Sequence, residues 1–263
     1  MINFSAIDYR SRFGKTLRLP LKLLPGSFVM PIVSGPIKGM KWQVGTSDHG
    51  CWLGTYELAK LKEIERWLRP GMTVYDIGAN AGIYTLFFSR AVGPEGRVFA
   101  FEPLGENSVN LLHHIQLNRL ENVVLTQAAL ASCSAMSSFQ LGSIGNSMGK
   151  LTTGNTQLRV PTVSMDELIT KHNFPLPDLI KMDVEGAESE VLCGASALLS
   201  QRATVWFIAL HGDQQKELCQ NVLTSYGYRI FSMDGEMITA PLVNSSYDEI
   251  YALPPAEKSS SEA

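Results

Sequence analysis

The residues best placed to do chemistry stand where apolar runs end. Asp76-Ile77-Gly78-Ala79-Asn80-Ala81-Gly82 closes a β-rich run that begins at Thr73 and opens a helical pattern. Gly78 and Gly82 permit a tight turn and close approach of a ligand to bare backbone, and Asn80 between them tolerates positive φ. A GxGxxG loop seats a pyrophosphate on a helix N-terminus. Here Asn80 replaces the second glycine, and Asp76 precedes the first by two positions. A carboxylate in that place repels phosphate and suits a cationic ligand. The next β-rich run ends in Phe101-Glu102-Pro103, twenty-six residues after Asp76. An acidic residue there can take both hydroxyls of a ribose.

Two carboxylates beside a glycine-rich turn, without a phosphate cradle, fit S-adenosyl-L-methionine: an adenosine, a sulfonium and an amino-acid tail, with no phosphate. Further along, a run ends in Lys181-Met182-Asp183-Val184-Glu185-Gly186-Ala187-Glu188 and another in Ala209-Leu210-His211-Gly212. Ligands of open parallel sheets bind outside the carboxyl ends of the strands, so Asp183 and Glu185 are expected at the reacting centre. His211 stands at a strand end too, as a crevice group or as a turn histidine bonded to backbone. Glu188 falls in a first helical turn, where a carboxylate suits the dipole. Lys181, inside an apolar strand, reads as the partner of a neighbouring carboxylate. His113 and His114 sit mid-helix and read as solvent-facing. His49, in Asp48-His49-Gly50-Cys51-Trp52, reaches the site only if the N-terminal segment folds over the crevice.

The elements that must position these groups follow from periodicity. From Thr73 onward, short β-rich runs alternate with helical patterns, which predicts a parallel sheet flanked by helices. Seven strands are expected, starting near Thr73, Arg97, Asn122, Leu179, Thr204, Tyr228 and Tyr247. Helices are expected from Gly82, Gly105, Ala187 and Asp213, with Val191, Ala195 and Leu198 on one face. The connection between the last two strands is too short for a helical crossover, which predicts antiparallel pairing. Residues 131–163, rich in Ser, Gly, Thr and Asn, read as a β-hairpin insertion. Ser164 with Glu167 matches a capping box, and Asp166 is expected to serve the same helix. Leu58, Leu61, Ile64 and Leu68 mark a helix that Pro70-Gly71 ends.

The 263 residues are 45% hydrophobic and 18% charged, a globular composition that needs no staples. A net charge of -3 argues against a dedicated nucleic-acid binder. The four cysteines form no CxxC pair, so neither zinc nor a disulfide framework is expected and no metal ligand is assigned. Reduced thiols, a proline-interrupted N-terminal apolar run and no apolar stretch of membrane-spanning length predict a cytoplasmic chain. Residues 1–41 carry seven Lys and Arg against one acidic residue and read as a basic arm docked on an acidic body, with an anion or membrane-surface contact as the alternative.

Tyr75-Asp76-Ile77-Gly78-Ala79-Asn80-Ala81-Gly82, Phe101-Glu102-Pro103, Val160-Pro161-Thr162-Val163-Ser164-Met165-Asp166 and Ile180-Lys181-Met182-Asp183-Val184-Glu185-Gly186 together resemble the FkbM family of S-adenosylmethionine-dependent methyltransferases. The likeness runs from about Trp52 to Gly227. It implies a class I methyltransferase, Rossmann-like α/β fold: a seven-stranded, mostly parallel sheet with an antiparallel last strand and helices on both faces. It also implies methylation of a hydroxyl on a sugar, glycan or other natural product. Carried over by position, Asp76, Gly78, Asn80 and Gly82 would line the cofactor, Glu102 would hold the ribose, and Gln127 and Ala128 would approach adenine. Asp183, Glu185 or His211 would take the acceptor's proton. Many members carry glutamate where this chain has Ala209, which removes that position from the site. The expected layout is an arm over 1–45, a methyltransferase domain over 46–255 and a disordered tail over 256–263. A non-catalytic nucleotide- or glycan-binding module is the alternative, and a nicotinamide-dependent oxidoreductase, lacking its phosphate loop, a weaker one.

Overall fold

A computed structural model describes residues 24–142, 149–154 and 156–255. The expected tail and the first half of the expected arm lie outside these residues. The arm enters as a hairpin, β1 (Val29–Pro31) and β2 (Lys41–Gln43), followed by short helix α1 (His49–Leu53) and by α2 (Leu58–Glu65). The main sheet then alternates β3 (Thr73–Ile77), α3 (Ile83–Val92), β4 (Arg97–Phe101), α4 (Gly105–Asn118) and β5 (Val123–Thr126). After an insertion come α5 (Met165–His172), β10 (Leu179–Met182), α6 (Glu188–Cys193), α7 (Ser196–Gln201), β11 (Val205–Ala209), α8 (Asp213–Ser225), β12 (Arg229–Ser232) and β13 (Glu249–Leu253).

The seven strands lie in the order β12-β13-β11-β10-β3-β4-β5. β3, β4, β5, β10 and β11 pair in parallel, while β13 inserts antiparallel between β11 and β12. The seven expected strands are all present, and the last two pair as expected. Interior strands such as β10 are buried along their whole length, as both-sided cover demands. One face packs Tyr75, Ile77, Ile180, Met182, Trp206 and Ile208 against Leu168, Val191, Leu198 and Leu223 of α5 to α8. The other packs Val74, Leu179, Phe207 and Tyr251 against Leu61, Ile64, Leu86 and Phe87 of α2 and α3. Ile32, Ile37, Trp42 and Val44 of the N-terminal segment belong to that second core, so this part of the arm is packed inward.

Three local expectations change. The insertion is a four-stranded sheet in the order β6-β9-β7-β8, built from Ala129–Leu130, Ala135–Leu141, Gly149–Leu151 and Arg159–Val163, with β6 parallel to β9. The helix read through Val191, Ala195 and Leu198 breaks into α6 and α7. The break falls at Gly194, where a Cβ would lie 2.1 Å from the Ala131 carbonyl oxygen, so that close approach admits only glycine. Ser164 Oγ accepts the Glu167 N–H at 3.2 Å as the capping box requires. Asp166, however, accepts the N–H groups of Ala197 and Leu198 at 2.9 and 3.2 Å and caps α7 instead.

Candidate active site

The carboxyl ends of β3, β4 and β10 open into one cleft, covered on one side by residues 47–56 and on another by the inserted sheet. The loop after β3 is fixed from both sides. Gly78 and Ala79 donate their N–H groups to the Phe101 carbonyl at 3.0 Å, and Gly78, Asn80 and Gly82 all have positive φ. Gly78 is glycine because β10 approaches it: a Cβ there would lie 1.9 Å from the Asp183 carbonyl oxygen. At Gly82 it would meet Leu111 Cδ1 at 2.2 Å. Both glycines are therefore demanded by neighbouring protein atoms as well as by the turn.

Glu102 lines the cleft and is only 4% exposed. Its Oε2 accepts the Asn80 N–H at 2.8 Å, and Oε1 accepts the Leu104 N–H at 2.9 Å and Asn107 Nδ2 at 3.3 Å. Burial raises its pKa, against the lowering effect of those two backbone N–H groups. A carboxylate has about four acceptor positions, so Glu102 holds the loop and keeps capacity for a ligand hydroxyl.

The other expected cofactor residues divide. Gly78, Asn80 and Gly82 line the cleft. Asp76 is fully buried beneath the loop, where Oδ2 accepts Thr85 Oγ1 at 2.6 Å and Oδ1 lies 3.7 Å from Lys181 Nζ. Desolvation raises its pKa. Gln127 is exposed and Ala128 buried, and the residues that line the cleft there are Ala129 and Leu130.

Asp183, Glu185 and His211 come together at the ends of β10 and β11. His211 Nε2 lies 3.7 Å from Asp183 Oδ1 and 3.5 Å from Glu185 Oε2. His211 Nδ1 lies 2.7 Å from Oε1 of Glu188, a fully buried residue. The hydrogen bond to Glu188 is the chief reason that the His211 pKa is raised. At Asp183, burial raises the pKa, but the charges of Lys181, Lys60 and His211 outweigh it and hold the carboxyl below its ordinary value. Glu188 thus serves His211 in addition to its own helix, which the first-turn reading alone did not anticipate.

Several cleft residues carried no local signal. Trp42, Ser47, Asp48, Cys51 and Tyr56 of the N-terminal segment, and Tyr84 of α3, all line it. His49 accepts from Trp52 Nε1 at 3.1 Å beside them. His114 is buried, contrary to the solvent-facing expectation: its ring stacks on Trp42 with centroids 3.9 Å apart, and it bridges the Gln43 N–H and the Ala81 carbonyl. Helix α4 packs against the N-terminal hairpin, which an isolated helical pattern does not reveal. Lys181 pairs with carboxylates as its place inside an apolar strand implies, since an ammonium there needs a partner. Its Nζ stands over the Tyr84 ring at 4.8 Å, between Asp76 and Asp183.

Among the described residues, no helix is long and apolar enough to cross a membrane. Comparison with known proteins places the chain further. It is 32% identical over 127 residues to the hexuronic acid methyltransferase AglP of Haloferax volcanii, covering 48% of this chain and 51% of that protein. It is 37% identical over 73 residues to the ribosomal RNA large subunit methyltransferase E of Pseudomonas fluorescens, covering 28% of this chain and 35% of that protein. The chain thus spans about half of the first relative's length and a third of the second's. A crystal structure of a methyltransferase FkbM from Methylobacillus flagellatus is similar with a TM-score of 0.49 at 16% identity, covering 78% of this chain and 55% of that one. A family model described as the methyltransferase FkbM domain matches residues 76–230, from the aspartate under the glycine loop into β12. By that match, over more than half of its length, the chain belongs to the FkbM methyltransferase family.

Proposed function

We propose that the chain is an S-adenosyl-L-methionine-dependent O-methyltransferase whose acceptor is a hydroxyl on a sugar, glycan or other natural product. The observation that carries this reading is the charge of the cleft. Asp48, Glu102, Asp183 and Glu185 line it, and Lys181 is the one cationic lining residue among those described. Lys181 is itself held between Asp76 and Asp183. Such a cleft suits a sulfonium and a ribose and repels a pyrophosphate, which argues against nicotinamide chemistry. Leu104, Leu130, Phe139 and Leu151 beside Glu102 supply an apolar bed for an adenine. The likeness to a hexuronic acid methyltransferase supports a sugar-like acceptor.

The bound cofactor supplies a methyl group already activated by its sulfonium. The chain's residues hold the ribose at Glu102, align an acceptor hydroxyl at the mouth of the cleft and shield it from water under residues 47–56. As the oxygen gains its methyl, its proton passes to the cluster of Asp183, Glu185 and His211.

The test is turnover of methyl-labelled cofactor to adenosylhomocysteine with uronic acids and other hydroxylated metabolites, followed by mass spectrometry of the product. A label on an acceptor oxygen is expected. Cofactor binding without turnover on any extract would favour the binding-module alternative, and binding of NAD in preference would sink the reading.

A further inference from the structure

The polar cluster beside the cleft is out of electrostatic balance. Lys181 lies 3.7 Å from Asp76 Oδ1 and 3.8 Å from Asp183 Oδ2, so these two carboxylates share one ammonium. With Glu185 and Glu188 they make four carboxylates around one ammonium and one imidazole. The excess is three negative charges if His211 is neutral and two if it is protonated. The ring has a fixed direction. Glu188 Oε1 takes the Nδ1–H at 2.7 Å and also accepts the Gly186 N–H at 2.9 Å. The Nε2 lone pair then points at two carboxylate oxygens that can only accept. A positive centre belongs in that gap.

We infer that Asp183, Glu185 and His211 form a divalent-cation site at the edge of the cleft, with Glu188 positioning the imidazole. One ligand atom from each of the three lies within 4.8 Å of the others. Ligands about 2.0–2.2 Å from a cation stand about 3–3.5 Å apart, and the Nε2 distances of 3.5 and 3.7 Å to Glu185 and Asp183 require only a small contraction. A buried carboxylate on the far nitrogen of a histidine is the usual outer support of a metal-bound imidazole. Independently, Glu188 is fully buried and its Oε2 has no hydrogen-bond partner among the described residues, so His211 is the one titratable side chain that its hydrogen bonds reach there. Two carboxylates and one imidazole, with open positions toward the cleft, suit Mn2+ or Mg2+ better than a closed zinc site. On the methyltransferase reading, which this inference deepens, the cation would orient the acceptor hydroxyl and ease loss of its proton, which would pass to the Asp183 or Glu185 oxygen that does not ligate it.

The test is titration of the chelator-treated full-length protein with Mn2+, with free metal followed by electron paramagnetic resonance. One saturable site is expected. Glu185→Gln, which is isosteric and partly exposed, should weaken it at least tenfold, and His211→Ala should abolish it. Glu188→Gln should weaken it about ten- to hundredfold with the circular dichroism unchanged. Adenosylmethionine binding measured on the same chelated protein should persist, so loss of the metal site and loss of the methyltransferase reading are separable. Absence of saturable binding, or binding indifferent to all three substitutions, would overturn the site. So would imidazolium 15N shifts of His211 that Mg2+ leaves unmoved, because a proton would then fill the gap.

Discussion

Glu102 Oε2 accepts the backbone N–H of Asn80 at 2.8 Å, so the carboxylate expected to hold the ribose also holds the glycine loop in place. Its substitution should therefore be read on two scales. Glu102→Ala is expected to weaken adenosylmethionine binding about ten- to hundredfold and to cost about 2 kcal/mol of stability, because buried N–H groups lose their acceptor. Isothermal titration and urea unfolding on one preparation check both. Unchanged affinity would remove Glu102 from the cofactor site.

Gly78 and Gly186 make a controlled pair. Both have positive φ, 74° and 100°, but a Cβ at Gly78 would strike the Asp183 carbonyl while one at Gly186 meets nothing within 4 Å. Gly186→Ala should cost about 1 kcal/mol for its backbone conformation alone. Gly78→Ala should cost several times more, through displacement of β10 from β3. Equal losses in denaturant titrations would show that the contact relaxes freely.

His114 links acid stability to the glycine loop. Burial lowers its pKa from 6.5 to about 4, so the folded state keeps it neutral while the unfolded chain protonates. Its stabilisation is fully present above pH 6.5 and is lost as the pH falls toward 4, by up to about 3 kcal/mol. Unfolding followed by tryptophan fluorescence at stepped pH measures this, since Trp42 stacks on the ring. His114→Gln should flatten that part of the profile. A slope that survives the substitution would assign it to other groups.

Asp183 and His211 should act together in turnover. Asp183→Asn and His211→Ala are each expected to lower kcat about a hundred- to ten-thousandfold. The double variant should be scarcely worse than the poorer single one, because groups that work as one unit give strongly non-additive losses. Multiplicative losses, with cofactor affinity intact, would mean that the two residues have separate tasks.

The amino-acid sequence by itself determined the strand and helix alternation, the glycine loop after β3 and the acidic ends of β4 and β10. These are local: burial of apolar runs, turn residues and caps act within a few positions. It also placed the antiparallel last strand, since the connection before Tyr247 allows no crossover. Only the tertiary structure decided which groups face one another. Asp76 and Lys181 are register partners on adjacent strands, although 105 residues separate them, and that pairing holds Asp76 beneath the loop. Trp42 meets His114, and Glu188 meets His211, because helices and the N-terminal hairpin dock on particular faces of the sheet. Hydrophobic periodicity says which side of an element is buried, and it carries no information on which polar atom waits on the opposing surface.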